Sequence, residues 1–404
     1  MQRSAMGGDL FVLYFSMLVT RIGFGAVIVL LPYYIPNAGS VGLGVILALY
    51  PLLEAVTATP LGRLCDLRGR RTVFLLSLIA MAGMTMTIGL TKDIYVISAV
   101  HALEGIAAAG ITVSTLTMIT DLTETGHRGA GMGMFDFANI GGYAVGFLLG
   151  GQLHEVFKHE LGFSFFVTAG AMGLAALVSL LMLREPPHVV YSKSSLNPLK
   201  AIDSQTRSFL PLWLGVTILL GIVFYLPNPL RRIGVGALST SYLLFAAVVV
   251  VGAGSVGFGA LSDRIGRQKV MLLGVVGLMG LLISLGLLSA DSSFRGALMR
   301  YWYVVAPLGL ASTALVPAIL ALLGDRSHQN SRGLAMGLYS MMLSFGLAIG
   351  NVTGGVADAA GGLRAILLYG AAIFLAACLV SLFLIVLLRT KAPTREMHVE
   401  RSTP

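Results

Sequence analysis

Residues 62–70 read Gly62-Arg63-Leu64-Cys65-Asp66-Leu67-Arg68-Gly69-Arg70, and residues 259–267 read Gly259-Ala260-Leu261-Ser262-Asp263-Arg264-Ile265-Gly266-Arg267. Both fit G-x-L-x-D-x-x-G-R, 197 residues apart. Each is a short polar stretch between two long apolar runs. A second repeat is longer. Arg128-Gly129 opens a stretch carrying Gly133, Gly142, Gly146, Gly150 and Gly151, and Arg332-Gly333 opens one carrying Gly337, Gly346, Gly350, Gly354 and Gly355. The internal spacings are identical at an offset of 204. Unequal loops absorb the small difference between the two offsets. The chain therefore reads as two halves built alike.

Composition says where those halves live. Of 404 residues, 56% are apolar and 11% charged, against roughly a quarter charged in a soluble domain. A soluble fold needs a polar skin that this chain cannot supply, so most of its surface must face lipid. The net charge of +9 does not point to nucleic acid, because the basic residues sit in short clusters between apolar runs, without interleaved aromatics. Cys65 and Cys378 are too far apart in kind and place for a disulfide framework or a metal site, and no cofactor motif is visible.

A span needs about 20 mainly apolar residues. The runs predict helices near 10–35, 41–61, 72–90, 94–119, 129–150 and 162–183, then 209–228, 237–258, 270–289, 299–323, 331–354 and 363–388. The first is too long for a signal core and lacks a cleavage site, so it reads as a retained span. The expected architecture is an all-α membrane protein with twelve transmembrane helices in two pseudo-symmetric six-helix bundles, 1–183 and 209–404. A polar linker, 184–208, joins them; it contains Glu185-Pro186-Pro187. With the amino terminus inside, nineteen of the twenty-seven Lys and Arg fall in inner segments and seven in outer loops. Both termini and the linker are thus expected in the cytoplasm, and the plasma membrane is the expected location.

The paired loops resemble the signature of the major facilitator superfamily, and the architecture fits that family over all but the tails. Parallel repeats around a shared cavity are what such transporters use for alternating access. Gly69 and Gly266 permit a tight turn. Asp66 and Asp263 can face a neighbouring helix amino terminus, and Arg70 and Arg267 can pair with nearby carboxylates. The resemblance implies that the loop, with Gly62 and Gly259, latches the cytoplasmic side; the alternative is a loop that only anchors topology. Gly133, Gly142, Gly146, Gly150 and Gly151 look like the antiporter motif of the drug:proton branch, with Phe147 where that motif has proline and Asn351 at the matching place in the second half. Helix packing by small residues is the other reading. In span four, His101 and Glu104 stand where the family has arginine and glutamine.

Five ionisable residues fall inside first-half spans: Arg21, Glu54, His101, Glu104 and Asp136. Charges at that depth are costly and usually serve a pathway. At 1.5 Å per residue, Arg21 and Glu104 both lie roughly 15 Å deep, near the middle. They could pair across the cavity, with Glu54 as the alternative partner for Arg21. A buried carboxylate that loses its cation favours the protonated form, which would couple protons to substrate; a fixed ion pair is the competing reading. His101 substitutes for the arginine that the resemblance implies in proton movement, or makes a structural hydrogen bond. Asp136 is a second proton site or is locked to a neighbour. The second half offers Phe224, Tyr225, Tyr242 and Asn351 as an apolar and aromatic cavity wall.

The leading expectation is a monomeric, proton-coupled exporter of small amphipathic compounds, with sodium left open as the coupling ion. The alternative is a symporter of organic anions using Arg21. The resemblance implies a second arginine in the other half for such carriers, and Arg231 and Arg232 are expected in an outer loop. A membrane sensor or enzyme is the remote third, since no nucleophile-base set, metal cluster or phosphate loop is visible.

Overall fold

The computed structural model describes residues 2–123, 128–185, 207–291, 294–319 and 332–390, and among them there is no strand. The helices are α1 (Gln2–Tyr34), α2 (Gly39–Arg68), α3 (Arg70–Leu90), α4 (Ile94–Leu122), α5 (Arg128–Val156) and α6 (Gly162–Met182). They continue as α7 (Leu210–Tyr225), α8 (Pro227–Arg232), α9 (Ala237–Ile265), α10 (Arg267–Leu288), α11 (Phe294–Arg300), α12 (Trp302–Ser312) and α13 (Arg332–Thr390). Most of the expected 184–208 linker lies outside the described residues, as do 320–331 and the carboxyl tail beyond 390.

Eleven helical stretches among the described residues are long and apolar enough to cross a membrane. The last of them is two spans. Within α13, Gly362 has φ 63°, a left-handed backbone that glycine takes without a Cβ penalty, and the helix turns back there. The count is therefore the twelve expected. The helices run past the apolar windows at several ends. For example, α2 continues to Arg68 and stops where Gly69 takes φ 92°, and α9 stops at Gly266, φ 99°. Span seven is interrupted at Leu226, between α7 and α8. Pro227 has no N–H to continue the ladder, and Pro229 follows two residues later.

In the first half α1 packs on α5 and α6, α2 on α4, and α3 on α4 and α6. In the second, α7 packs on α13, and α10 on α12 and α13. The halves meet where α2 lies against α13 and α5 against α9. Leucines and valines such as Leu76, Leu174 and Val256 are exposed on the outside, where lipid takes the place of a partner. Lipid gives helices little hydrophobic reason to associate, so small residues that allow close approach carry the packing. Gly25 meets Gly146, and Gly221 meets Gly350, at backbone distance.

The two ends of the bundle differ. At the end opposite the G-x-L-x-D-x-x-G-R loops, Tyr33 Oη donates to Val235 O, Ser40 Oγ to Asp358, Tyr225 Oη to Ser40 O, Arg232 to Ser40 Oγ and Gln152 to Tyr242 Oη. These bonds join one half to the other and shut that end. Toward the loops, residues 249–253 of α9 are all exposed. Five residues exceed one turn, so α9 stands free there both of lipid-side neighbours and of the first half. The space between the halves opens at the loop end.

Candidate functional site

The site grows from Arg21, midway along α1 and 5% exposed. Its Nη2 donates to Glu54 Oε1 at 2.9 Å and to Thr112 Oγ1 at 3.1 Å. Its Nη1 donates to Tyr143 Oη at 3.1 Å and Tyr50 Oη at 3.4 Å. Thr112 Oγ1 donates in turn to Glu54 Oε1 at 3.3 Å. Four helices thus converge on one guanidinium. The glycine pattern of α5 makes room for it: a Cβ on Gly142 would stand 2.6 Å from the Cβ of Arg21. Gly146 and Gly150 pack against α1 in the same way, Gly151 meets Ser241 of the second half, and Gly133 has open space beside it.

Glu54, rather than Glu104, is the partner of Arg21. Depth put both carboxylates within reach; helix phase decides between them. On α4, Thr112 faces Arg21, and eight residues of helix rotate Glu104 about 80° away from it. That turn points Glu104 at α3. There Thr85 Oγ1 donates to its Oε1 at 2.7 Å, and His101 Nδ1 meets its Oε2 at 2.8 Å. All three side chains are essentially sealed, with His101 at 0% exposure. His101 Nε2 has no hydrogen-bond partner among the described residues.

Tyr50 connects the two charged sites. Its hydroxyl faces Arg21, while its ring lies 5.4 Å from the His101 ring and 4.0 Å from Phe24. Phe24, Tyr143, Phe147 and Phe224 complete an aromatic cluster with centroid spacings of 5.4–6.4 Å. Phe224 is the second-half member, so the cluster bridges the halves. Phe147, standing where the antiporter motif has proline, belongs to it.

The remaining candidates separate. Asp136 is exposed and has no hydrogen bond or ion pair among the described residues. It sits seven residues before Tyr143, on the same face of α5 and roughly 10 Å nearer the open end. Tyr225 and Tyr242, expected as cavity wall, stand at the closed end: Tyr225 is fully buried against Asp358, and Tyr242 is half exposed beside Gln152. Asn351 is buried in the α2–α13 seam, donating to Leu347 O. Arg231 and Arg232 are also at the closed end, with Arg232 paired to Asp358 at 3.1 Å. They do not join Arg21.

In the repeated loops both arginines meet nearby carboxylates, while the helix-terminus place expected of Asp66 is taken by another residue. Arg70, fully buried, pairs with Asp121 at 3.3 Å and Asp66 at 3.8 Å. The carboxylate at the amino terminus of α3 is Glu185, which accepts from the N–H groups of Arg70 and Arg71 at 2.7 and 2.9 Å. Asp66 is mostly exposed instead. In the second loop Arg267 pairs with Asp263 and donates to Ser262 Oγ. Gly62 and Gly259 have only loose neighbours. No group of three or more His, Cys, Asp or Glu among the described residues could hold a metal.

Tyr50, Thr112, Tyr143, Thr85, Phe24 and Phe147 were not expected as site residues. Tyr50 precedes Glu54, and Tyr143 precedes Phe147, by one helical turn. That spacing was the available signal.

The sequence profile described as Major Facilitator Superfamily matches residues 13–306 and 259–402. A protein of Escherichia coli O17:K52:H18 named "Multidrug resistance protein MdtG" is 26% identical over 91% of this chain and 92% of its own. One of the same name from Enterobacter lignolyticus is 27% identical over 86% and 84%. Among solved structures, a bacterial homologue of the human lysosomal transporter Spinster, described as inward-facing and occupied, superposes with a TM-score of 0.77 at 17% identity, covering 94% of this chain and 96% of the other. The nucleoside transporter NupG gives 0.70 at 12% identity, with 94% and 99% covered. With twelve spans, a repeated loop, a buried ion pair in the first half and an aromatic cluster between the halves, the chain belongs to the major facilitator superfamily and is a multi-pass membrane transporter, not an enzyme.

Proposed function

We propose that the chain exports small amphipathic compounds across the cell membrane in exchange for protons. The observation that carries this reading is the buried Arg21–Glu54 pair beside the aromatic cluster of Tyr143, Phe147 and Phe224 that bridges the halves. The multidrug-resistance names of the relatives agree with it. The positive-inside rule places the loop end, and with it both termini, in the cytoplasm. Residues 1–183 and 209–404 act as two units, the chain works as a monomer, and the loops around Arg70 and Arg267 latch the cytoplasmic side.

The mechanism follows from the pair. A substrate entering from the open end passes Asp136 and meets Tyr143 and Phe224. Contact that draws Tyr143 or Arg21 aside leaves Glu54 without its cation. A buried carboxylate in that position takes a proton rather than stand unpaired. The sealed His101–Glu104–Thr85 group is a second proton holder, linked through Tyr50.

The test uses proteoliposomes enclosing a pH-sensitive dye under an imposed proton gradient, with a panel of lipophilic cations and organic anions. Flux driven by cations in the wild type and lost in Glu54→Gln supports the exporter. If Glu104→Gln abolishes it instead, the coupling group is the buried dyad. Flux driven only by anions overturns the reading in favour of a carrier that uses Arg21. Sodium in place of protons is checked by swapping the gradient.

A further inference from the structure

Three of the five bonds named above at the closed end meet at Ser40, beside the carboxylate of Asp358. Asp358, 3% exposed, receives four donors on Oδ2: Ser40 Oγ at 2.7 Å, Tyr225 Oη at 2.9 Å, Asn228 Nδ2 at 2.9 Å and Arg232 Nη1 at 3.1 Å. Tyr225, Asn228 and Arg232 belong to its own half. Tyr225 ends α7, and Asn228 and Arg232 follow the break at Pro227, on α8. Ser40 alone of these four comes from the first half. Its hydroxyl donates to Asp358 and accepts from Arg232 at 2.7 Å, while its carbonyl, 3.0 Å from Tyr225 Oη, shares that phenol's single proton with Asp358. The neighbouring Arg231 reaches the other way, its guanidinium 5.8 Å from the Tyr33 ring of α1.

We propose that this cluster is the lock of the closed end, and that release of Ser40 is the step that lets the halves part there. The arrangement makes release inexpensive. If the halves rock apart as rigid bodies, Asp358 leaves with Tyr225, Asn228 and Arg232 still bonded to it. No buried charge is stranded, which would be the costly event. Of this cluster's bonds only those through Ser40 are given up, together with the separate Tyr33–Val235 and Gln152–Tyr242 bonds. In the closed state the Ser40 bonds pin α2 to α13 at the point where Gly44 and Gly355 also touch. The inference rests on family membership and alternating access, and on neither the substrate nor the coupling ion.

The test measures distances between spin labels in a background lacking Cys65 and Cys378, without substrate and at fixed pH. Lys158→Cys and Arg364→Cys report the closed end; Leu67→Cys and Arg264→Cys report the loop end. Ser40→Ala is expected to raise the population with a longer closed-end distance about tenfold, the value of one hydrogen bond to a charged group. Asp358→Asn, which weakens charge-assisted bonds, should raise it on the order of tenfold or more. The loop-end distance should shorten in step. Unchanged closed-end distances in both variants would overturn the proposal. So would a shift in Asp358→Asn with none in Ser40→Ala, because the carboxylate would then only brace its own half. Should Asp358→Asn fail to fold, Ser40→Ala decides by itself.

Discussion

The two halves place their glycines alike and their charges differently. Gly142 backs Arg21 on α1, and Gly346, 204 residues later, backs Thr217 on α7. Gly146 meets Gly25 as Gly350 meets Gly221, and Gly151 meets Ser241 as Gly355 meets Gly44. Each contact in one half has its counterpart in the other. The side chains held by that frame diverge. Thr217 donates at 2.9 Å to Leu214 O of its own helix, with Met342 O of α13 at 3.4 Å, and meets no charge among the described residues. Glu54 corresponds, at the 197-residue offset, to Val251, an exposed valine on the free stretch of α9. The repeat therefore sets where helices touch, and a few unpaired substitutions set where charge is buried. Packing and charge are separable in this molecule.

That separation can be broken experimentally. Glu54→Leu strands Arg21 and is expected to cost about 3–5 kcal/mol, read as a fall in thermal unfolding temperature with loss of coupled flux. The double variant Arg21→Thr with Glu54→Val copies the second half into the first. It should recover most of that stability while leaving coupled flux absent. If the double variant were as unstable as the single, the frame would depend on the charges and the comparison would fail.

Gly142→Ala comes next in size. Its methyl would press on the Cβ of Arg21 and on Leu18 O at 2.8 Å, so about 1–3 kcal/mol is expected, with transport reduced because Arg21 shifts. Gly133→Ala, on the same helix with open space beside it, is the control, and should leave stability unchanged or raise it by up to about 1 kcal/mol. Phe147→Asn gives the first half the residue that the second half has at 351. It removes two aromatic contacts, about 0.5–1.5 kcal/mol each, and should raise the apparent KM for aromatic substrates several-fold with little change in coupling. The smallest effect is expected for Asp136→Asn. Its stability should stay within about 0.5 kcal/mol of wild type, and the transport rate of cations should fall more at low ionic strength than at high, since an exposed charge is screened by salt.

These contrasts also mark what could be read from residues alone. The twelve spans and the duplication were legible because lipid imposes long apolar runs and glycine spacing is periodic. The depth of Arg21 and Glu104 was legible for the same reason, since rise per residue is fixed. Their partners were not. Which way a side chain points around a helix inside a bundle depends on how neighbouring helices are rotated, and that turned Glu104 toward Thr85. The Asp358 cluster draws Ser40, Tyr225, Asn228 and Arg232 from segments up to 318 residues away, so no local pattern announces it. Glu185 was visible only as the start of a polar stretch, although it caps α3.

The contact between Gly142 and Arg21 is made at Cβ, the atom that every residue except glycine possesses. Position 21 can thus change identity while α5 still leans on the same carbon. Selection can exchange the cation at 21 for a neutral or polar group by single-codon steps without first redesigning the seam between α1 and α5. The same holds at 217, where the second half carries threonine. A lineage built on this scaffold can retune what its cavity attracts faster than it can alter its shape.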